Sequence, residues 1–170
     1  MPIDRCEKSF DQLATTVLPR YLQDMRLALK QPKPLADFRR PRVGVRTILK
    51  ELQKDDDFSG CYVFVDRDKP FYVGISRGVV ARLRQHVTGK TCFDATLAYS
   101  IARDKVPHQS TGTAAMKDEQ FRQAFNAARR FLADSSVAFI EIENPLELYL
   151  FEAYCAMALD TCKWNTFRTH

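Results

Sequence analysis

Apolar residues along this chain follow two rhythms. Phe10, Leu13 and Val17 recur at helical spacing, and Pro19 suits the first turn of a second helix with Leu22, Met25 and Leu29 on its face. Pro32, Pro34 and Pro41 break that rhythm and predict an extended connection, after which Arg46 to Lys54 reads as a short helix ending in an acidic turn. Cys61 to Asp66 and Phe71 to Ile75 are instead rich in β-branched and aromatic residues. The turn residues of the intervening "DRDKP" join them as a hairpin. Gly78 to Val87 returns to the helical rhythm, with Val79, Leu83 and Val87 toward the core. Two more helices are predicted, Asp94 to Arg103 on Phe93, Leu97 and Ile101, and Asp118 to Ala133 on Phe121, Phe125 and Leu132, with the loop-like "VPHQSTGTAAM" between them. Val137 to Glu143 alternates as a third strand, and Pro145 opens a strongly apolar helix running to about Leu159.

This order predicts an α/β (α+β) fold, in which a small, mainly antiparallel three-stranded sheet is flanked by helices. The main domain is expected over residues 58–170 with a helical insertion at about 89–134. Residues 1–57 form a helical N-terminal extension that carries a basic, proline-containing linker.

Composition changes the picture in three places. With 45% hydrophobic and 28% charged residues in 170, the chain has the makeup of a globular domain, and no apolar run reaches the ~20 residues of a membrane span. The start lacks a basic stretch followed by an apolar one, so no secretory signal is expected and the setting is read as cytoplasmic. Five scattered cysteines without paired C-x-x-C spacing read as free thiols rather than a zinc site. The formal charge is +5, and from Lys30 to Lys50 seven cations, among them Arg39, Arg40 and Arg42, face the single acid Asp37. Contact with a polyanion and a solvated linker fit that segment equally well.

Arg82 and His86, four residues apart, share a helix face turned about 60° from the apolar stripe, which places them at the rim of a cleft or makes them an ordinary surface pair. Glu152 is the only charged residue from Leu148 to Leu159, in a helix apolar on nearly every side. A carboxylate so placed either holds an internal arginine or binds a cation. Tyr62 and Tyr72 on neighbouring strands read singly as sheet residues, and Gly60 and Gly74 allow close approach to the backbone.

Taken in order, these residues resemble the GIY-YIG nuclease family. Its name motif appears as "GCY", Gly60 to Tyr62, and "YVG", Tyr72 to Gly74. The family's helical arginine falls on Arg82, the histidine one turn later on His86, the glutamate of an apolar helix after the third strand on Glu152, and the asparagine near the domain's end on Asn165. The departures are Cys61 and Val73 for isoleucine and a longer helical insertion. The resemblance covers Gly60 to about Phe167. It implies a divalent-metal-dependent endonuclease that hydrolyses phosphodiester bonds in DNA, with one cation, Mg²⁺ first and Mn²⁺ second, on Glu152. It further implies Tyr62 as the general base with His86 taking its proton, Tyr72 on the scissile phosphate or its water, Arg82 on the non-bridging oxygens and Asn165 as a brace. Arg39, Arg40, Arg42, Arg77 and Arg84 are the expected nucleic-acid contacts. The alternative is a module of the same fold that binds nucleic acid without cutting it. Specificity, DNA against RNA, and oligomeric state are not written in the sequence.

Overall fold

A β-hairpin organises the first part of the molecule. In the computed structural model, which describes residues 2–167, β2 (Gly60–Asp66) and β3 (Lys69–Ser76) run antiparallel, joined by the two-residue turn Arg67 and Asp68. Both turn residues have positive φ, 47° and 64°, the combination that matches strand twist in a two-residue hairpin. Pro70 cannot donate to a ladder, and the register slips beside it, between Phe64 and Val65.

The sheet has four strands, not three: β1 (Lys33–Pro34) and β4 (Ser136–Glu141) join the hairpin in the order β1-β4-β2-β3. The addition is β1, too short to show any alternation in sequence. Cys61, Val63, Val65 and Val73 on one face of the hairpin pack with Leu22 and Met25 of α2 (Leu18–Ala28) and with Leu148, Phe151 and Cys155 of α8 (Pro145–Ala158). Ahead of α2 lie α1 (Phe10–Gln12), with a Ser9/Gln12 capping box, and a π-helical turn, Leu13–Val17, in which the Leu18 N–H reaches back five residues to the Leu13 carbonyl. The wider turn comes just before Pro19. Leu13 and Val17 are buried as the periodicity predicts, but Phe10 is exposed.

The chain divides into two compact units that alternate along the sequence. One comprises Met1–Lys33, Asp56–Val79 and Val137–His170, the other Pro34–Asp55 and Val80–Ser136. In the second unit α5 (Thr96–Lys105) packs on α7 (Glu119–Asp134) through alanines and large apolar residues, among them Leu97, Ile101, Phe121, Phe125 and Leu132. Asp118 caps α7, its side chain accepting from the Phe121 N–H at 2.8 Å. The loop between these helices holds the short α6 (Gly112–Ala115). Phe93, expected on the apolar face of α5, lies before the helix and is 76% exposed.

The segment expected to be an extended basic connection is largely folded. Leu35–Arg39 is a 3-10 helix with Leu35 and Phe38 buried, it packs on α7, and the Leu35 N–H donates to the Ser135 carbonyl at 2.9 Å. Burial of Leu35 and Phe38 outweighs the solvation of the surrounding cations. The α3 helix (Val45–Glu51) follows, and α4 is Val79–Thr88. Among the described residues no helix is long and apolar enough to cross a membrane.

Candidate active site

The hairpin register sets the tyrosines. Tyr62 lies opposite Gly74 and Phe64 opposite Tyr72, so the three rings share one face, with centroids 5.3 Å (Tyr62 to Phe64), 5.7 Å (Phe64 to Tyr72) and 6.3 Å (Tyr62 to Tyr72) apart. Tyr62 is 1% exposed, whereas Tyr72 is half-buried. Gly74 is required by this arrangement, because a Cβ there would stand 2.5 Å from Cζ and Oη of Tyr62. Gly60 has a different reason: a Cβ would come 2.2 Å from the Ile140 carbonyl oxygen of β4. Both motif glycines therefore have packing roles of their own.

Asn165 belongs to the same unit and closes the open edge of the sheet. β3 is the outer strand, and the Val73 N–H donates to Asn165 Oδ1 at 2.9 Å while Asn165 Nδ2 donates to the Val73 carbonyl at 2.7 Å. The side-chain amide thus stands in for a residue of a fifth strand. Thr161 Oγ1 donates to the same Oδ1 at 2.9 Å, tying the turn after α8 to the strand between Tyr72 and Gly74.

Two glutamates on α8 behave oppositely. Glu147, passed over in the sequence reading, is 3% exposed and receives hydrogen bonds from Tyr21 Oη at 2.6 Å and Cys6 Sγ at 3.8 Å, together with an ion pair to Lys8. Burial pushes its pKa up, but the bonds from Lys8 and Tyr21 outweigh this and the net shift is downward. Tyr21, partly buried and bonded to a carboxylate, is pushed up to about 12. The available sequence signal was Asn144-x-x-Glu147 ahead of an apolar run, a helix-start pattern; Asn144 does cap α8 through the N–H groups of Leu146 and Glu147.

Glu152, one turn further along, is half-buried, and burial alone raises its pKa. Among the described residues it has neither a hydrogen bond nor an ion pair, so the internal arginine allowed by the sequence is not found there. Its charge is felt by the thiol of Cys61, which is raised first by burial, then by its bond to Cys155 and by the charges of Cys155 and Glu152. α8 covers the Cys61/Val63/Val73 face of the hairpin, opposite the face that carries Tyr62 and Tyr72.

The other expected site residues, Arg77 apart, lie in the second unit. The Arg82 guanidinium donates to the Asp94 carbonyl at 2.9 Å, to Thr96 Oγ1 at 2.8 Å and to Gln85 Oε1 at 3.1 Å, bracing the start of α5. His86 is 0% exposed, and burial, with the Arg82 charge second, pulls its pKa down to about 3. At neutral pH it is an uncharged imidazole, suited to hydrogen bonding and poorly suited to storing a proton. Arg84 donates to the Phe38 carbonyl at 3.1 Å, and Arg40 pairs with Glu51 and donates to the Asp37 carbonyl at 3.0 Å. Arg129 donates to the carbonyls of Thr88 at 3.1 Å and Val87 at 3.4 Å, and its pKa is lowered by burial and by the neighbouring Arg39. The unit holds 15 Lys and Arg against 8 Asp and Glu, a surplus of seven, whereas the first unit holds 11 against 13. All of the net positive charge is therefore in the second unit.

Gly60, Tyr62, Tyr72, Gly74, Arg77, Glu152 and Asn165 fall in the first unit, and Arg39, Arg40, Arg42, Arg82, Arg84 and His86 in the second. Among the described residues no cluster of three or more His, Cys, Asp or Glu side chains is placed to hold a metal ion. A cation here would have Glu152 as its one carboxylate, a donor set that suits a hard ion keeping most of its waters. No family model matches the chain, and no curated protein or solved structure is significantly similar to it.

Proposed function

We propose that this chain is a divalent-cation-dependent endonuclease of the GIY-YIG kind acting on DNA. The observation that carries the reading is Glu152: a half-buried carboxylate, in a helix otherwise apolar from Leu148 to Leu159, with no partner among the described residues. Burial disfavours its charge, and a bound cation is what offsets that cost. When bound, a cation such as Mg²⁺ supplies charge stabilisation to a phosphodiester. Tyr72, half-buried, is the phenol of the pair that solvent reaches, and the buried Tyr62 ring lies over Gly74 with its centroid 6.3 Å from that of Tyr72. Asn165 fixes the strand segment that carries Tyr72. The cationic second unit supports nucleic acid as substrate, since an excess of seven cations attracts a phosphate backbone.

A second reading, a module that binds nucleic acid without cutting it, is favoured by one feature: the tyrosines and the Glu152 helix occupy opposite faces of the hairpin. Plasmid and oligonucleotide cleavage in Mg²⁺ separates the two. Wild type is expected to cut, and folded Glu152→Gln to bind DNA without cutting and to lose the rise in melting temperature that Mg²⁺ gives wild type. Full cleavage by Glu152→Gln rejects the carboxylate assignment, and DNA binding by wild type without any cleavage selects the second reading.

A further inference from the structure

The end of the hairpin away from its turn opens into a cleft of about 260 Å³ beside α8. Its lining combines the apolar Ile75, Pro145 and Leu148 with Ser59, Ser76, Arg77 and Tyr149. That volume is just below the ~300 Å³ at which ligand clefts begin, so it admits a fragment rather than a large ligand. We propose that this cleft is a nucleotide subsite, taking one nucleotide of a nucleic-acid strand with its phosphate on Arg77 and its base against Tyr149. The proposal rests on the nucleic-acid reading of the chain.

Several independent features converge there. Arg77 is exposed and, among the described residues, makes no hydrogen bond or ion pair, so its donor fork is available. Its backbone is held: Ser76 Oγ donates to the Gly78 carbonyl and accepts from the Gly78 N–H, both at 3.0 Å, which places residue 77 at the apex of a closed turn. Tyr149 is 71% exposed on the adjoining helix, a large ring presented to solvent at the cleft wall. Apolar lining beside an exposed ring accepts the flat face of a base, and every base has one. No acidic residue lines the cleft. The helix N-terminus contributes little, because the N–H groups of Leu146 and Glu147 are already taken by Asn144, and this leaves the anion to Arg77 and the Ser59 hydroxyl.

The cleft also has a defined relation to Glu152. Pro145, Leu148, Tyr149 and Glu152 fall at spacings of three and four on one stripe of α8, so the carboxylate's residue stands three positions, ~4.5 Å of helix rise, beyond that of the ring. A nucleotide held on Arg77 and Tyr149 is thereby placed next to the proposed cation ligand.

The test titrates the whole chain with a nucleoside 5′-monophosphate, the matching nucleoside and inorganic phosphate, following backbone amide shifts by NMR. The expected result is shifts centred on Ser59, Arg77 and Tyr149, with the nucleotide at least about tenfold tighter than either half alone. Arg77→Gln should weaken the nucleotide about tenfold and spare the nucleoside, while Tyr149→Ala should weaken nucleotide and nucleoside by about tenfold and spare phosphate. Both side chains are exposed, so both variants should fold. Shifts elsewhere, unchanged affinity in both variants, or phosphate binding as well as the nucleotide would overturn the proposal. Glu152→Gln should bind the nucleotide undiminished, so cleavage by that variant sinks the cation assignment alone. Loss of cleavage in Glu152→Gln with no nucleotide binding in wild type sinks the subsite alone.

Discussion

Acidification should destabilise the protein through His86 by an amount that follows from its burial. The imidazole has an ordinary pKa of 6.5 and is pulled down to about 3 in the folded chain, by burial first and the Arg82 charge second. Its folded pKa is depressed, so its contribution to stability is fully present above pH 6.5 and is lost as pH falls toward 3, where the unfolded chain alone takes up the proton. Each pH unit in that window removes about 1.4 kcal/mol, giving about 2 kcal/mol between pH 6.5 and 5 and about 5 kcal/mol by pH 3. Against a typical total of about 5–15 kcal/mol, this is a large share. Urea unfolding of wild type and His86→Gln at pH 7, 6 and 5 isolates the effect, since other titrating groups are common to both. Wild type should lose about 2 kcal/mol more than the variant from pH 7 to 5. Parallel pH slopes, or an NMR titration of His86 above about pH 5.5, would refute the argument and restore His86 as a carrier of protons.

The remaining expectations concern packing and the Glu147 cluster. Gly60→Ala forces a Cβ against the Ile140 backbone oxygen and should cost about 1–3 kcal/mol in chemical denaturation; a neutral result would mean that β4 shifts freely. Asn165→Ala leaves both polar groups of Val73 unpaired at the sheet edge, so stability should fall by about 1–3 kcal/mol and the Val73 amide should exchange faster. Loss of cleavage with unaltered stability and exchange would instead make Asn165 a purely catalytic group. Tyr21, pushed up to about 12, contributes stability that is complete below pH 10 and lost as pH rises through 12, and Tyr21→Phe should flatten that alkaline limb. For Glu147 the sign is opposite: its support holds above the ordinary carboxylate pKa and fades in acid, so Glu147→Gln should flatten the acid limb.

What could be read from the sequence was whatever a short window of residues decides. The hairpin, α4, α7 and α8 announce themselves by their apolar patterns, but the Tyr62/Gly74 pairing depends on the register slip between Phe64 and Val65 and not on the turn alone. Decisions made between distant segments were not legible. β1 has only two residues and exists because β4 lies beside it. Leu35 and Phe38 are hidden among prolines and cations, yet α7 offers them a surface, while Phe93 keeps a helical spacing and still finds none. The same limit applies at the candidate site. Isolation in an apolar helix singled out Glu152, but only the fold reveals that Glu147 is the carboxylate with partners, contributed by Cys6, Lys8 and Tyr21 from the far end of the chain. Asn165 entered only through the resemblance, as an expected brace of the site; the hydrogen bonds of its amide to the Val73 backbone are visible only in the fold.

The alternation of the two units along the sequence has a consequence for how the protein is made. The ribosome delivers Leu22, Met25 and the Cys61/Val63/Val73 face early, but Phe151 and Cys155, which cover them, come on the order of a hundred residues later. The second unit is complete once Ser136 has emerged, so it can close while the first still displays an apolar sheet face. Loop closure over such separations is slow, and a waiting hairpin with an unpaired outer strand is a template for pairing with other chains. During translation the first unit is therefore the one that needs shielding, and its last cover is the helix that carries Glu152.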